Sequence, residues 1–184
     1  MENLKTVVID NGTGYTKMGF AGNPEPSFMI PTCIAEKPDK GGVQVSRLQN
    51  DFLDFYIGDD AIANSRSHQL YYPIRSGEVS SWEQMEKFWH SSIYNYLKAE
   101  PEEHVFMLTE PPMNPPENRE RMAETFFETF NAKGLYIGVQ AVLAMISSGY
   151  SESGALNLTG TVVDSGDGVT HIIPVVNSDD FNLE

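Results

Sequence analysis

The sequence holds a single cysteine, Cys33, so no disulfide can form within it. Set in Ile30-Pro31-Thr32-Cys33-Ile34, that thiol reads as a small buried apolar residue rather than a nucleophile. Basic residues are scarce too: 12 Lys and Arg stand against 26 Asp and Glu, a formal charge of −14. Tracking a nucleic-acid backbone, or adhering to an anionic membrane surface, needs clustered Lys and Arg, so both are excluded as general partners. No apolar run reaches the length that spans a bilayer, and no membrane insertion is expected. The amino terminus lacks a basic segment followed by a long apolar stretch, so no secretory signal is read and a cytoplasmic chain is expected. The sequon Asn157-Leu158-Thr159 is then a chance match. None of His68, His90, His104 and His171 has a second His or Cys at ligand spacing, so no zinc site is expected. Local context supports no Ser–His–Asp or Cys–His arrangement either.

What is present is a pattern that occurs twice. Val7-Val8-Ile9-Asp10-Asn11-Gly12-Thr13-Gly14-Tyr15-Thr16-Lys17 is matched by Val162-Val163-Asp164-Ser165-Gly166-Asp167-Gly168-Val169-Thr170-His171. Each is an apolar strand, an Asp, a Gly-x-Gly turn and a second strand. Glycines in such a turn allow positive φ and let the backbone approach a ligand. Successive backbone N–H groups there form a concave anion site. The Asp cannot favour a bare phosphate, but it suits a hydrated divalent cation, because Mg²⁺ keeps most of its waters and takes few carboxylates. Lys17, on the strand leaving the first turn, supplies a point charge for phosphates. Either motif alone would read as a simple hairpin turn. The pair, with an Asp at the same place in each, favours nucleotide binding.

Between the two motifs, strands and helices alternate. Strands are expected at 5–10, 15–20, from Phe28, at 55–57, at 104–109 and at 135–139. Ser81-Trp82-Glu83-Gln84 reads as a capping box opening a helix to about Lys98, with Trp82, Met85, Trp89, Ile93, Tyr96 and Leu97 as its core stripe. A second helix, Glu117 to Phe130, is amphipathic through Met122, Phe126, Phe127 and Phe130, and a third runs from Gln140 to Ser148. Pro111-Pro112-Met113-Asn114-Pro115-Pro116 reads as an extended connector rather than a ligand for a proline-binding module. Residues 36–51 read as a surface loop. The alternation indicates an α/β fold with a mixed sheet flanked by helices. Residues 1–149 form one lobe with a loop-rich small subdomain at about 32–70, and 150–184 a linker and the first hairpin of a second lobe only begun.

These residues resemble the actin family. Asp10-Asn11-Gly12-Thr13-Gly14 with Lys17, and Asp164-Ser165-Gly166-Asp167-Gly168-Val169-Thr170-His171, are similar to its two phosphate loops. Pro101-Glu102-Glu103-His104, Leu108-Thr109-Glu110, Asn118-Arg119-Glu120, Phe127-Glu128-Thr129-Phe130-Asn131 and Gln140-Ala141-Val142-Leu143 extend the resemblance over nearly the whole chain. It implies an actin-like, ribonuclease-H-like ATPase fold that binds ATP and Mg²⁺ between two lobes. It implies that Gly12, Thr13, Gly14 and Lys17 contact the phosphates, that Gly166, Asp167 and Gly168 meet them from the other side, and that Asp10 and Asp164 hold hydrated Mg²⁺. Gln140 and His171 match the catalytic positions that orient attacking water; a neutral amide is no strong base, so hydrolysis is expected to be slow at most. Ser76 stands where relatives often carry His, so that residue's role does not carry over. The implied role is structural and regulatory: a subunit of the complex that nucleates branched actin filaments, with the other subunits, actin and nucleation-promoting factors as partners in the cytoplasmic cytoskeleton. The adenosine-contacting part of the family is not matched before Glu184, so weak ATP binding by these residues alone is expected. Two other readings remain open at this point: a truncated relative acting only as a binding module, and an actin-fold phosphotransferase. The latter needs a catalytic Asp outside the phosphate motifs, and none is found.

Overall fold

The computed structural model describes residues 5–38, 55–149 and 159–176. Most of the 36–51 loop, the 150–158 linker and the final residues 177–184 lie outside them.

A five-stranded mixed sheet is built from β1 (Lys5–Asn11), β2 (Tyr15–Phe20), β3 (Phe28–Pro31), β9 (His104–Glu110) and β10 (Gly134–Val139), in the order β10-β9-β1-β2-β3. The hairpin partners run antiparallel, whereas β9 and β10 lie parallel to β1 and to each other. Period-two alternation places Val7, Ile9, Phe106 and Leu108 on one face, and all four are buried. Helices α2 (Trp82–Ser91) and α3 (Pro116–Glu124) cover that face, each continuing into a π-helical turn, Ser92–Leu97 and Thr125–Thr129. Met85, Phe88, Trp89, Ile93, Phe126 and Phe130 complete the core. Phe126 is its hub, with ring centroids 5.2, 5.2 and 5.4 Å from Trp89, Phe106 and Phe130, in edge geometries that favour aromatic pairs.

A smaller sheet, β4 (Ile34–Glu36), β5 (Phe55–Ile57) and β6 (Gln69–Tyr71), packs with α1 (Gly58–Ala63) around Cys33, Ala35 and Ala61. Burial, with the charge of Asp59 added, pushes the Cys33 thiol pKa up, as suits an inert core residue. Glu36 ties this sheet to α2 by accepting from Lys87 Nζ at 2.7 Å and Gln84 Nε2 at 3.3 Å. Strands β7 (Ile74–Arg75) and β8 (Glu78–Val79) form a ribbon whose turn residues, Ser76 and Gly77, have φ of 51° and 85°. Positive φ at both central residues is what a two-residue type I′ turn requires. After β10 come α4 (Gln140–Gly149) and the hairpin β11 (Gly160–Ser165) and β12 (Thr170–Val175), which α4 contacts. No helix among the described residues is long and apolar enough to cross a membrane.

Three local expectations need correcting. Ser81 does precede α2, but its side chain makes no cap hydrogen bond. Gln84 is drawn to Glu36 instead, and the Ser81 N–H donates to the Pro73 carbonyl. The proline-rich connector is a turn rather than extended: Asn114 N–H donates to the Pro111 carbonyl and Met113 has φ of 60°. Phe127 is exposed, because the π-helical turn rotates it out of the stripe that Phe126 and Phe130 keep.

Candidate functional site: a cleft between two matching loops

Parallel strands expose their carboxyl ends along one edge of a sheet, where ligands of α/β folds collect. Here that edge carries Asp10 at the end of β1, Thr109 near the end of central β9, and Gln140 immediately after β10. Asp10 lies on the sheet face opposite the packed core, since Ile9 points inward. Thr109 lies beside it, because the register sets Ile9 against Leu108.

The two motifs fold alike to the level of individual hydrogen bonds. In the first loop the Gly12 N–H donates to the Tyr15 carbonyl at 3.1 Å; in the second, Gly166 does so to Val169 at 3.0 Å. Asn11 and Thr16 side chains bond across the first hairpin at 3.0 Å, and Ser165 and Thr170 across the second at 2.9 Å. Asp10 pairs in register with Lys17, and Asp164 with His171. The loops face each other across a cleft of about 420 Å³. Asp10, Gly12, Thr13, Gly14, Lys17, Gln140, Asp164, Gly166, Asp167, Gly168 and His171 all line it.

The loop glycines do not adopt positive φ; among the described glycines only Gly22, Gly58 and Gly77 do. Close approach is what demands Gly14 and Gly168. A Cβ on Gly14 would sit 2.9 Å from Asp167 Cβ, and one on Gly168 would sit 2.8 Å from Thr13 Cγ2. The loops therefore interlock, each filling the space the other's glycine leaves. Between them the backbone N–H groups of Thr13, Gly14, Asp167 and Gly168 donate to no acceptor among the described residues. Four backbone donors without an acceptor among the described residues, on loops that line one cleft, suit an anion.

Asp10 is firmly held. Its Oδ1 accepts from Thr109 Oγ1 at 2.5 Å and from Gln140 Nε2 at 3.1 Å, while Oδ2 accepts from Lys17 Nζ at 3.2 Å. Lys17, expected on phosphates, thus rests on the carboxylate. Asp164 makes no side-chain hydrogen bond or ion pair among the described residues. His171 Nε2 is buried without a partner among them. Thr13 Oγ1 accepts the Gly77 N–H at 2.9 Å, which anchors the β7–β8 turn to the first loop.

Thr109, Asn11 and Trp89, present in the sequence as parts of motifs and of the core stripe, turn out to support the site. The Trp89 indole donates to Asn11 Oδ1 at 2.8 Å, and a line of bonds continues through Thr16 to Thr32 at 2.9 Å, fixing the loop's base to the core. Thr109 could have been found as a polar residue closing a central strand between two apolar ones.

The family described as Actin matches residues 1–181. The chain belongs to the actin family. Its actin-fold character accounts for the mixed sheet, its flanking helices and the paired loops. The chain is 55% identical over 174 residues to actin-related protein 3 of Dictyostelium discoideum, covering 94% of this chain and 42% of that protein. Against actin-related protein 3 of Acanthamoeba castellanii it is 53% identical over 188 residues (94% and 43%). Against that of Caenorhabditis elegans it is 53% identical over 184 residues (95% and 43%). Within the actin family the resemblance is thus to actin-related protein 3, in its amino-terminal part. The chain spans less than half the length of these curated relatives.

Proposed function

We propose that this chain is the nucleotide-binding part of an actin-related protein that holds ATP with Mg²⁺ and serves in the actin-related protein 2/3 complex, which nucleates branched actin filaments. The observation that carries the nucleotide reading is the pair of matching loops that line one cleft and carry backbone donors with no acceptor among the described residues. The residues fit a hydrated cation. No group of three or more His, Cys, Asp or Glu placed to hold a metal occurs among the described residues. Asp10 and Asp164, at matching places in the two motifs, line the same cleft along with Asp167, and so few carboxylates suit Mg²⁺ bound through its own water.

On this reading the amides of Thr13, Gly14, Asp167 and Gly168 take phosphate oxygens, and Lys17 adds a positive charge once it leaves Asp10. Asp10 and Asp164 hold the waters of the cation. Mg²⁺, when bound, neutralises phosphate charge. Gln140 orients a water, and His171, which lines the same cleft, helps to orient it. Gln140 is a neutral amide and no strong base, and His171 has no hydrogen-bonded carboxylate among the described residues, so hydrolysis is slow and the role is chiefly structural and regulatory. Lobe division at 149/150, the other complex subunits, actin and nucleation-promoting factors as partners, and a place in the cytoplasmic actin cytoskeleton belong to the same proposal. They rest on the likeness to actin-related protein 3.

The test is to purify the protein natively, record the intact mass of its assembly, then denature it and identify what is released. A multi-subunit particle that releases stoichiometric adenine nucleotide is expected. A free chain without nucleotide would overturn both parts.

A further inference from the structure

One hydroxyl sits where three functional groups meet. Thr109 Oγ1 donates its only hydrogen to Asp10 Oδ1 at 2.5 Å and accepts from Gln140 Nε2 at 3.3 Å. The same amide nitrogen donates to Asp10 Oδ1 at 3.1 Å. An ionised carboxylate can only accept hydrogen bonds, so the Gln140 side chain must turn its NH₂ toward Asp10. Thr109 Oγ1 and Asp10 Oδ1 lie side by side as seen from that nitrogen, so the donor end of the amide is turned to the two together. Oε1 is the other end of the amide, and it can only accept.

The carboxylate is sorted in the same way. Oδ1 takes two hydrogen bonds, from Thr109 and Gln140, which fill its lone pairs. Among the described residues Oδ2 takes only Lys17, which leaves one lone pair open. We infer that Thr109 is a positioning residue: it fixes Oδ2 of Asp10 as the oxygen offered to a cation's water, and Oε1 of Gln140 as the acceptor offered to an attacking water. This rests on the nucleotide and Mg²⁺ reading above and deepens it. The sheet makes the arrangement possible, because β9 lies between β1 and β10 and delivers Thr109 between Asp10 and Gln140. Second-layer hydrogen bonds of this kind commonly change metal affinity by roughly 10–100-fold when removed.

The test compares Thr109→Val, which keeps the shape and removes the hydroxyl, with Thr109→Ser, which keeps the hydroxyl and removes a methyl. Both are made in the natural full-length protein. The readout is equilibrium affinity for ATP, measured once in Mg²⁺ and once in excess EDTA, with urea unfolding midpoints alongside. In Mg²⁺ the Val variant binds roughly tenfold or more weakly than the parent. In EDTA the two bind alike, and the Ser variant stays within about twofold of the parent throughout. A Val variant that matches the parent in Mg²⁺ overturns the inference. So does a loss that persists undiminished in EDTA, or a Ser variant as weak as Val, since either marks a packing role only. If Val lowers the unfolding midpoint enough to confound binding, Thr109→Ala, also without the hydroxyl, takes its place under the same criteria. A parent that binds no ATP under either condition removes the nucleotide reading, and this inference with it; a parent that binds while Thr109→Val is silent removes this inference alone.

Discussion

Two loop glycines that look interchangeable on paper differ in what a methyl group would meet. Gly168 and Gly14 face the opposite loop at 2.8 and 2.9 Å, against a Thr13 methyl and the Asp167 Cβ; the Cβ moves only with its backbone, and the Thr13 side chain is held by the Gly77 N–H on its Oγ1. A Cβ on Gly166 would meet nothing closer than the Val169 carbonyl at 3.8 Å. Gly14→Ala and Gly168→Ala should therefore cost about 1–3 kcal/mol through overpacking. Gly166→Ala should stay within about 0.5 kcal/mol of the parent. Urea unfolding of the three variants checks this, and equal losses in all three would mean that loop contact is not the cause. The glycines themselves were legible in the sequence, but the reason for them was not. Turn chemistry pointed to positive φ, whereas the actual constraint comes from a loop far away in the chain, which no local pattern records.

Elements with an uninterrupted period were readable in the same way: β1, β9, α2 and the paired hairpins follow from alternation or helical spacing within one segment. Strands β4 and β6, three residues each, and β7 and β8, two residues each, hold no period and exist only because a partner pairs with them. The residues of the two loops were legible because the motif repeats, and Gln140 only through the family resemblance; Thr109 was not, because its role depends on which strand lies between which. The join from β9 to α3 is likewise a tertiary fact. Glu110 is buried and accepts from Asn114 Nδ2 at 3.0 Å and from Arg119 Nε at 3.3 Å, with a second bond from the Arg119 guanidinium to Oε1. That hydrogen bond and charge hold the Arg119 pKa above its ordinary value. Removing one partner of such a pair strands a buried charge, which costs about 3–5 kcal/mol in a fully buried case. The Arg119 end is 55% exposed, so Arg119→Met should cost less, about 1–3 kcal/mol. Arg119→Met combined with Glu110→Gln should recover part of that loss, since no charge then remains buried. A double variant no more stable than Arg119→Met in thermal unfolding would mean that Arg119 acts through packing rather than charge.

The whole molecule is acidic, and its cleft is no exception to a formal charge of −14. Among the described lining residues Lys17 is the only Lys or Arg, set against Asp10, Asp164 and Asp167. A polyphosphate entering without a cation would meet more negative charge than positive. Each carboxylate–phosphate repulsion at about 5 Å is worth about 1–3 kcal/mol at effective dielectric constants between those of water and a protein surface. A divalent cation reverses the sign, turning the same carboxylates into ligands for its water shell. Asp164 separates these two effects cleanly, because its side chain is exposed and holds no other described group in place, unlike Asp10. Asp164→Asn in the full-length protein should therefore change affinity in opposite directions. In EDTA it should bind ATP more tightly than the parent, by about 5- to 100-fold for 1–3 kcal/mol of lost repulsion. In Mg²⁺ it should bind more weakly, because a ligand for the cation's water has lost its charge. Paired titrations in the two buffers measure both arms. A loss in both would show that the carboxylate supports the loop's shape. A gain in both would show that it opposes nucleotide even when Mg²⁺ is present, and the cation would then have to be held from elsewhere in the cleft.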